Sequence, residues 1–179
     1  MTTRFRDPLL FAGKAIAIFM QGAMAVGALA LAVGFFGVIF FTPQLAAEAG
    51  LEPFPADFPI GALAALMLIG LAIVAMMFFF FDKLRRIIGT VGEGDPFQPA
   101  NAARLNAMAW LTVGVQLSFL PAAALGMELA KFADDLKGAD IRIDGGMDLE
   151  GILLAIVLFI LARVFRHGAA MREDLEGTV

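Results

Sequence analysis

The hydrophobic and polar positions of this chain divide it into four long apolar runs separated by polar segments. The transmembrane spans predicted from these runs cover residues 15–41, 58–81, 105–130 and 149–166. A helix needs about 20 largely apolar residues to cross the hydrocarbon core of a bilayer. The first three runs meet that length, and arginines extend the fourth by reaching toward the headgroups. The pattern predicts an all-α fold: an integral membrane four-helix bundle, with residues 1–179 forming a single membrane domain.

Proline and glycine residues predict where the helices end and begin. Prolines at positions 43, 53 and 55 predict that the first helix stops near Phe41 and that an extended connection follows. Gly94 and Pro96 mark a turn after the second run. Pro99 suits the first turn of a helix, where its missing N–H is not needed. The third helix is therefore expected to begin near residue 99, in the cytoplasm, and to enter the bilayer around Leu105.

The loop between the third and fourth runs has a different pattern. Polar and apolar residues alternate from Asp140 to Asp144, and Gly145 and Gly146 follow. Alternation is typical of a strand, and paired glycines are typical of a turn. We therefore expect a small extended or hairpin segment in this third, outer loop.

Basic residues predict the orientation of the bundle. The N-terminal segment, the middle loop and the C-terminal tail together carry ten of the 13 Lys and Arg residues, the third loop carries the other three, and the first loop has none. Cytoplasmic loops of membrane proteins are enriched in Lys and Arg. The chain is therefore predicted to be a multi-pass protein of the cell inner membrane with both termini in the cytoplasm.

Composition supports a membrane environment and argues against several classes of function. Hydrophobic residues make up 60% of the chain and charged residues 17%, whereas soluble domains average about 45–50% apolar and about 25% charged residues. The lack of cysteine removes disulfides and thiolate chemistry. The net charge of −4 argues against direct binding of nucleic acid.

No combination of residues typical of a catalytic centre occurs. The only histidine, His167, follows Arg166 in the tail, so the sequence predicts no histidine cluster for a metal. Nucleophile-elbow and zinc-protease motifs are missing, and the glycines between residues 89 and 94 lack the lysine of a phosphate loop. We predict a protein that is not an enzyme and that has no catalytic residues, no metal site and no cofactor.

A few polar residues lie within the predicted spans: Gln21, Gln116, Ser118 and Glu128. One interpretation is a ligand or ion site, because polar groups inside a membrane need partners. The other is hydrogen bonding between helices, worth about 0.6 kcal/mol on average. Glu128 lies near the predicted outer boundary, three residues before Lys131, and is interpreted as an interfacial group.

The middle loop and the tail resemble a bacterial family. Residues 94–97 read Gly-Asp-Pro-Phe, and with Asn101, Arg104 and Leu105 they are similar to the pattern G-[DN]-P-F-x-x-x-N-x-x-R-L. Residues 163–179 resemble the C-terminal ending of the same family. It is the family of domain of unknown function 2975, small four-helix membrane proteins of bacteria. The long acidic third loop of this chain departs from the family.

The resemblance implies a partner, because members of this family are often encoded beside a small helix-turn-helix regulator. We therefore expect a sensor or binding partner of such a cytoplasmic regulator. The candidate partner-binding residues of the cytoplasmic loop and tail are Asp95, Pro96, Phe97, Asn101, Arg104, Arg172 and Glu173.

Other interpretations stay open at this stage. The Gly-Asp-Pro-Phe segment is equally well explained as a rigid turn followed by a helix start. The whole chain could instead be a small transporter or channel, a lipid-binding bundle or an accessory subunit of a membrane complex. Small residues recur four positions apart, which favours close helix packing but specifies no particular homo-oligomer.

Overall fold

The computed structural model of the protein consists of four α-helices in the part of the chain that it describes. The described residues are 7–48, 57–135 and 148–176. The helices are α1 (Pro8–Glu48), α2 (Ile60–Gly92), α3 (Pro99–Asp135) and α4 (Leu149–Glu176). No strand occurs within these described ranges, and the all-α prediction is confirmed. The extended segment predicted for residues 140–146 lies outside the described residues.

Each helix packs against the next one along the chain, and neighbouring helices are antiparallel. α1 and α2 are paired from end to end, because Gly13 lies against Ile88 and Gly34 lies against Met67. Within the described residues, α1 packs against α2 alone, while α3 packs against both α2 and α4. The up-and-down order places the start of α1 and the end of α4 at the same end of the bundle.

The hydrophobic core lies between α2, α3 and α4. Its buried members are Ile87, Leu105, Met108, Ala109, Leu158 and Ala162. α1 contributes only Ala17 to the buried apolar residues of the described chain. Its outer surface exposes large side chains such as Phe19, Val26 and Leu29, each more than 60% exposed. An exposed apolar surface of this size is suited to lipid.

Three of the helices have the length and composition of membrane spans. The segments are Pro8–Gln44, Ile60–Gly92 and Pro99–Lys131, with mean hydropathies of 2.4, 2.7 and 1.5. α4 is not among them, and its apolar stretch is shorter, bounded by Glu150 and Arg163. A membrane protein is therefore supported, and a fourth crossing by α4 stays a prediction.

α1 is kinked near its C-terminal end. Phe41 leaves the helical conformation, with φ −127° and ψ 17°. Pro43 causes this break, because it has no N–H to donate and its ring clashes with the carbonyl one turn before it. The chain does not become extended there, as the prolines predict, but continues as a helix to Glu48. Pro43 is tolerated because it lies in the first turn of this new segment, where an N–H has no intrahelical acceptor.

Candidate partner-binding face at the basic end

One end of the bundle, called the basic end below, gathers most of the described cationic side chains. It consists of the start of α1 (8–14), the end of α2 with the turn that follows it (82–98), the start of α3 (99–106) and the end of α4 (163–176). These segments are far apart in sequence. The antiparallel order of the helices brings them together.

The turn between α2 and α3 is held by a Schellman motif. Gly94 has φ 85°, the only positive φ among the described residues. Its N–H donates to Val91 O at 3.0 Å, and the N–H of Asp95 donates to Thr90 O at 3.0 Å. These two bonds satisfy carbonyls that the end of α2 would otherwise leave unpaired. A glycine is needed at position 94 because side chains disfavour this left-handed conformation.

Asn101 fastens the turn to both helices that it connects. Its side chain is fully buried. Its Nδ2 donates to Thr90 Oγ1 at 2.7 Å and to Pro96 O at 2.9 Å, and its Oδ1 accepts from Arg104 Nη1 at 2.8 Å. Because buried polar groups are costly without partners, this residue fixes the geometry of the turn.

The same turn is attached to the end of α4. The ring of Phe97 packs against that of Phe165, with centroids 5.3 Å apart. Gly168 makes this approach possible, since a Cβ there would lie 2.7 Å from Phe97 Cδ1. Arg172 donates to a carboxylate oxygen of Asp95 and forms an ion pair with it. The middle loop and the end of α4 therefore form one continuous surface.

The structure brings the predicted partner-binding residues to this end, but most of them contact each other. Asp95, Phe97, Asn101 and Arg104 take part in the contacts just described, as do Pro96 and Arg172. Asn101 is buried, so in this conformation it shapes the turn and offers no side chain to another protein. Glu173 is exposed beside a groove.

That groove is the feature that the sequence did not predict. It runs between the start of α3 and the end of α4 and has a volume of about 320 Å³. Its lining residues are Pro99, Ala102, Ala103, Arg166, Ala169, Ala170 and Glu173. The alanines of the two walls, at 102–103 on α3 and 169–170 on α4, are far apart in sequence, and no local pattern indicates that they face each other. The register of α3 against α4 is what joins them.

Near the middle of α3, beside the start of α4, Gln116 makes a pair of hydrogen bonds that join these two helices. Its Nε2 donates to Asp148 Oδ1 at 2.8 Å, and its Oε1 accepts from the N–H of Asp148 at 3.2 Å. Asp148 also accepts from the N–H of Gly151 and so caps the start of α4. Sequence reasoning missed Asp148, because it follows a loop whose course the sequence does not define.

The four polar candidates of the predicted spans are not brought together. Ser118 donates to Gly114 O within its own helix at 2.8 Å. Gln21 is half-buried on α1, which packs against α2 alone in the described part of the chain. Glu128 is exposed on α3, about three turns beyond Gln116. Nowhere in the described ranges do three metal-ligating side chains come together either.

The comparisons with known proteins agree with the resemblance found in the sequence. A family model described as "Protein of unknown function (DUF2975)" matches residues 45–179. Neither the curated proteins nor the solved structures contain a match to the chain. The matched region covers α2, α3 and α4 and most of the chain. The protein therefore belongs to the DUF2975 family of proteins of unknown function.

Proposed function

We propose that this protein is a non-enzymatic sensor in a bacterial inner membrane that binds a small helix-turn-helix regulator. In this proposal the basic end faces the cytoplasm and both termini lie there. The excess of Lys and Arg in the segments that form this end supports that orientation. The regulator is suggested by the family resemblance, and the protein itself makes no direct contact with nucleic acid.

The observation that carries the proposal is the groove between α3 and α4. Its floor is apolar and built from alanines, and its rim carries a cation, Arg166, and an anion, Glu173. Protein interfaces commonly combine an apolar centre with a polar rim. The groove is also supported from behind, because the Asp95–Arg172 ion pair and the Phe97 ring hold α4 against the turn. A preformed surface loses less entropy when it binds a partner.

The arrangement also gives a way to transmit a signal. Any change that breaks the contact of Gly168 with Phe97 releases the end of α4 from the turn before α3 and alters the width of the groove, because each helix supplies one wall. A signal at the outer face or within the membrane would act through this packing. The groove would then bind or release the regulator according to the state of the bundle.

Co-purification in detergent tests this proposal. The intact protein is expected to retain a small helix-turn-helix protein from the cytoplasm of its own bacterium. Ala170→Trp fills the groove from an exposed position and is expected to reduce retention at least about tenfold, since large side chains block a docking surface. Ala12→Trp is the matched control, because Ala12 is exposed at the same end on α1 and does not line the groove.

Two outcomes would reject the docking role. One is that the intact protein retains no cytoplasmic protein. The other is that the two tryptophan variants lose the partner equally, which would place the contact outside the groove.

A transporter, channel or lipid-binding bundle receives less support. Such a protein would use Gln21, Gln116, Ser118 and Glu128 as interior polar groups. Gln116 is occupied by Asp148, and Ser118 bonds its own helix. An accessory subunit would use the same groove as a regulator-binding protein, and the partner recovered in the co-purification distinguishes the two.

A further inference from the structure

Three cationic side chains of α2 gather around one carboxylate at the end of its apolar run. Arg86 Nε lies 2.9 Å from Asp82 Oδ2, and Arg85 Nη2 lies 3.1 Å from Asp82 Oδ1. Lys83 Nζ lies 3.6 Å from Asp82 Oδ2. One anion therefore organises three cations, and the cluster keeps two excess positive charges.

This cluster, called the Asp82 cluster, faces away from the core shared by α2, α3 and α4. Successive residues of a helix are about 100° apart, so Asp82 lies about 140° around α2 from the core residue Ile87. The side chains of Arg86, Arg85 and Lys83 remain 56%, 38% and 32% exposed. The cluster therefore presents its charge on the outer surface of the protein.

Two aromatic rings lie one turn before the cluster on the same face of α2. Phe78 and Phe79 precede Asp82 by four and three residues, which places them beside it on a helix. Their rings meet edge to face with centroids 5.8 Å apart, and Phe79 is 53% exposed. The outer face of α2 thus carries an apolar surface followed directly by a cationic one.

We propose that this face of α2 is a binding site for an anionic phospholipid. The acyl chains would lie along Phe78 and Phe79, and the phosphodiester would bind the two guanidinium groups. Each guanidinium has five N–H donors, and one nitrogen from each arginine donates to Asp82. The remaining N–H groups of the two arginines would donate to the headgroup of this lipid. They lie at the depth where the apolar run of α2 ends. Asp82 holds the arginines in place, so the site is preorganised.

A lipid fits this site better than a free phosphate ion, because the charged and apolar parts are adjacent. Either ligand would satisfy the cations, but only a lipid would also cover Phe79. Each basic residue near an anionic membrane surface is worth about fivefold in affinity. Losing both arginines is therefore expected to weaken binding about 30-fold.

Native mass spectrometry and lipid titration of the full-length protein test the site. The protein in detergent is titrated with phosphatidylglycerol, and phosphatidylcholine serves as the neutral lipid. The intact protein is expected to bind one phosphatidylglycerol molecule more tightly than any further copies. Arg85→Gln combined with Arg86→Gln is expected to remove this tight binding, whereas Arg85→Lys combined with Arg86→Lys retains part of it.

The matched control is Arg163→Gln combined with Arg166→Gln. It removes the same charge from the same end of the bundle, but on α4. If this control weakens lipid binding as much as the α2 variant does, the lipid is attracted only by the total positive charge of this end. The proposed site on α2 is then rejected. Helix content and monodispersity of each variant verify that it is folded.

A second arm separates the lipid from free phosphate. Phe79→Ala is expected to weaken phosphatidylglycerol binding several-fold and to leave any inorganic phosphate binding unchanged. If Phe79→Ala has no effect and millimolar inorganic phosphate displaces the lipid, the ligand is a phosphate ion and the lipid proposal is wrong. None of these measurements involves a protein partner. Their outcome therefore does not depend on whether the groove binds a regulator.

Discussion

α1 and the three helices that follow it are held in place by different kinds of contact. α1 meets α2 through small residues: Gly27 lies against Val74, and Gly34 lies against Met67. α2, α3 and α4 share a buried apolar cluster, and side-chain hydrogen bonds join α2 to α3 at the basic end and the middle of α3 to the start of α4. The first interface depends on close approach of backbones, and the second also depends on the direction of specific polar groups.

This difference shows which part of the molecule has a defined register. Packing between small and apolar residues is weakly directional, so a helix held this way tolerates small shifts. Hydrogen bonds of buried side chains tolerate little displacement, because an unpaired polar group is costly. The family match begins at Leu45, after the kink of α1, and therefore covers the part whose register is fixed by polar contacts.

The largest effect is expected when the buried hydrogen bonds of Asn101 at the basic end are removed. Asn101→Ala is expected to lower the free energy of unfolding by about 3 kcal/mol, because three side-chain hydrogen bonds of a buried residue are lost at about 1 kcal/mol each. Thermal or denaturant unfolding in detergent measures it. Asn106→Ala is the control, since Asn106 is half-buried on the same helix and lies outside this network. Equal losses in both variants would contradict the argument.

The next test acts at the start of α4, where it meets the middle of α3. A Cβ at residue 151 would overlap Gln116 Nε2 and would lie 2.7 Å from Asp148 Oδ1. Gly151→Ala is therefore expected to displace Gln116 and to cost about 2 kcal/mol, the penalty for a buried polar group that loses its partner. Gln116→Leu removes the buried polar group itself and is expected to cost less, because its partner Asp148 is exposed and can bond water instead. If the free energy of unfolding is lower for Gln116→Leu than for Gly151→Ala, this explanation is wrong.

A third test disturbs α1 without touching the polar contacts. Gly34→Leu is expected to cost about 1 kcal/mol, because a Cβ there would lie 2.6 Å from Met67 Cε and the interface must shift. Distances between spin labels should broaden for α1–α2 pairs and stay unchanged for α3–α4 pairs. Gly22→Leu is the control, since a Cβ at Gly22 meets no atom within 4 Å. Broadening of the α3–α4 distances would show that α1 is coupled to the rest.

The smallest effect is expected for the ion pair at the surface. Asp95→Asn removes one charge of the Asp95–Arg172 pair, whose side chains are 32% and 51% exposed. Exposed pairs contribute at most about 1 kcal/mol, and salt screens them. The stability difference between Asp95→Asn and the intact protein should therefore shrink as sodium chloride is raised. A difference that does not change with salt would indicate that the pair is held by more than charge.

The sequence predicted well the features that depend on local patterns. Long apolar runs indicated the helices, and α3 begins at Pro99, where proline chemistry placed its start. The turn at Gly94 was also visible, because a glycine is the usual residue in a left-handed helix end. These features require no knowledge of how distant segments meet.

Pairings between distant segments could not be predicted in the same way. Phe97 meets Phe165, and Gln116 meets Asp148, only because α3 and α4 adopt one particular register. In a membrane protein the faces toward lipid and toward other helices are both apolar, so hydrophobic periodicity carries little information about that register. The polar residues were recognised individually, but their partners were not.

The two attachments of α4 have a mechanical consequence. Gly151 lies against Gln116 and Gly168 lies against Phe97, so α4 is fixed to its neighbours at two points about 26 Å apart along its axis. A helix held at two such points can neither slide along its axis nor rotate about it without breaking one of the two contacts. Rigid piston or rotation movements of α4 are therefore costly, whereas tilting of α1 across the surface of α2 breaks no hydrogen bond described above. Among the four described helices, α1 is therefore the one least restrained by polar contacts.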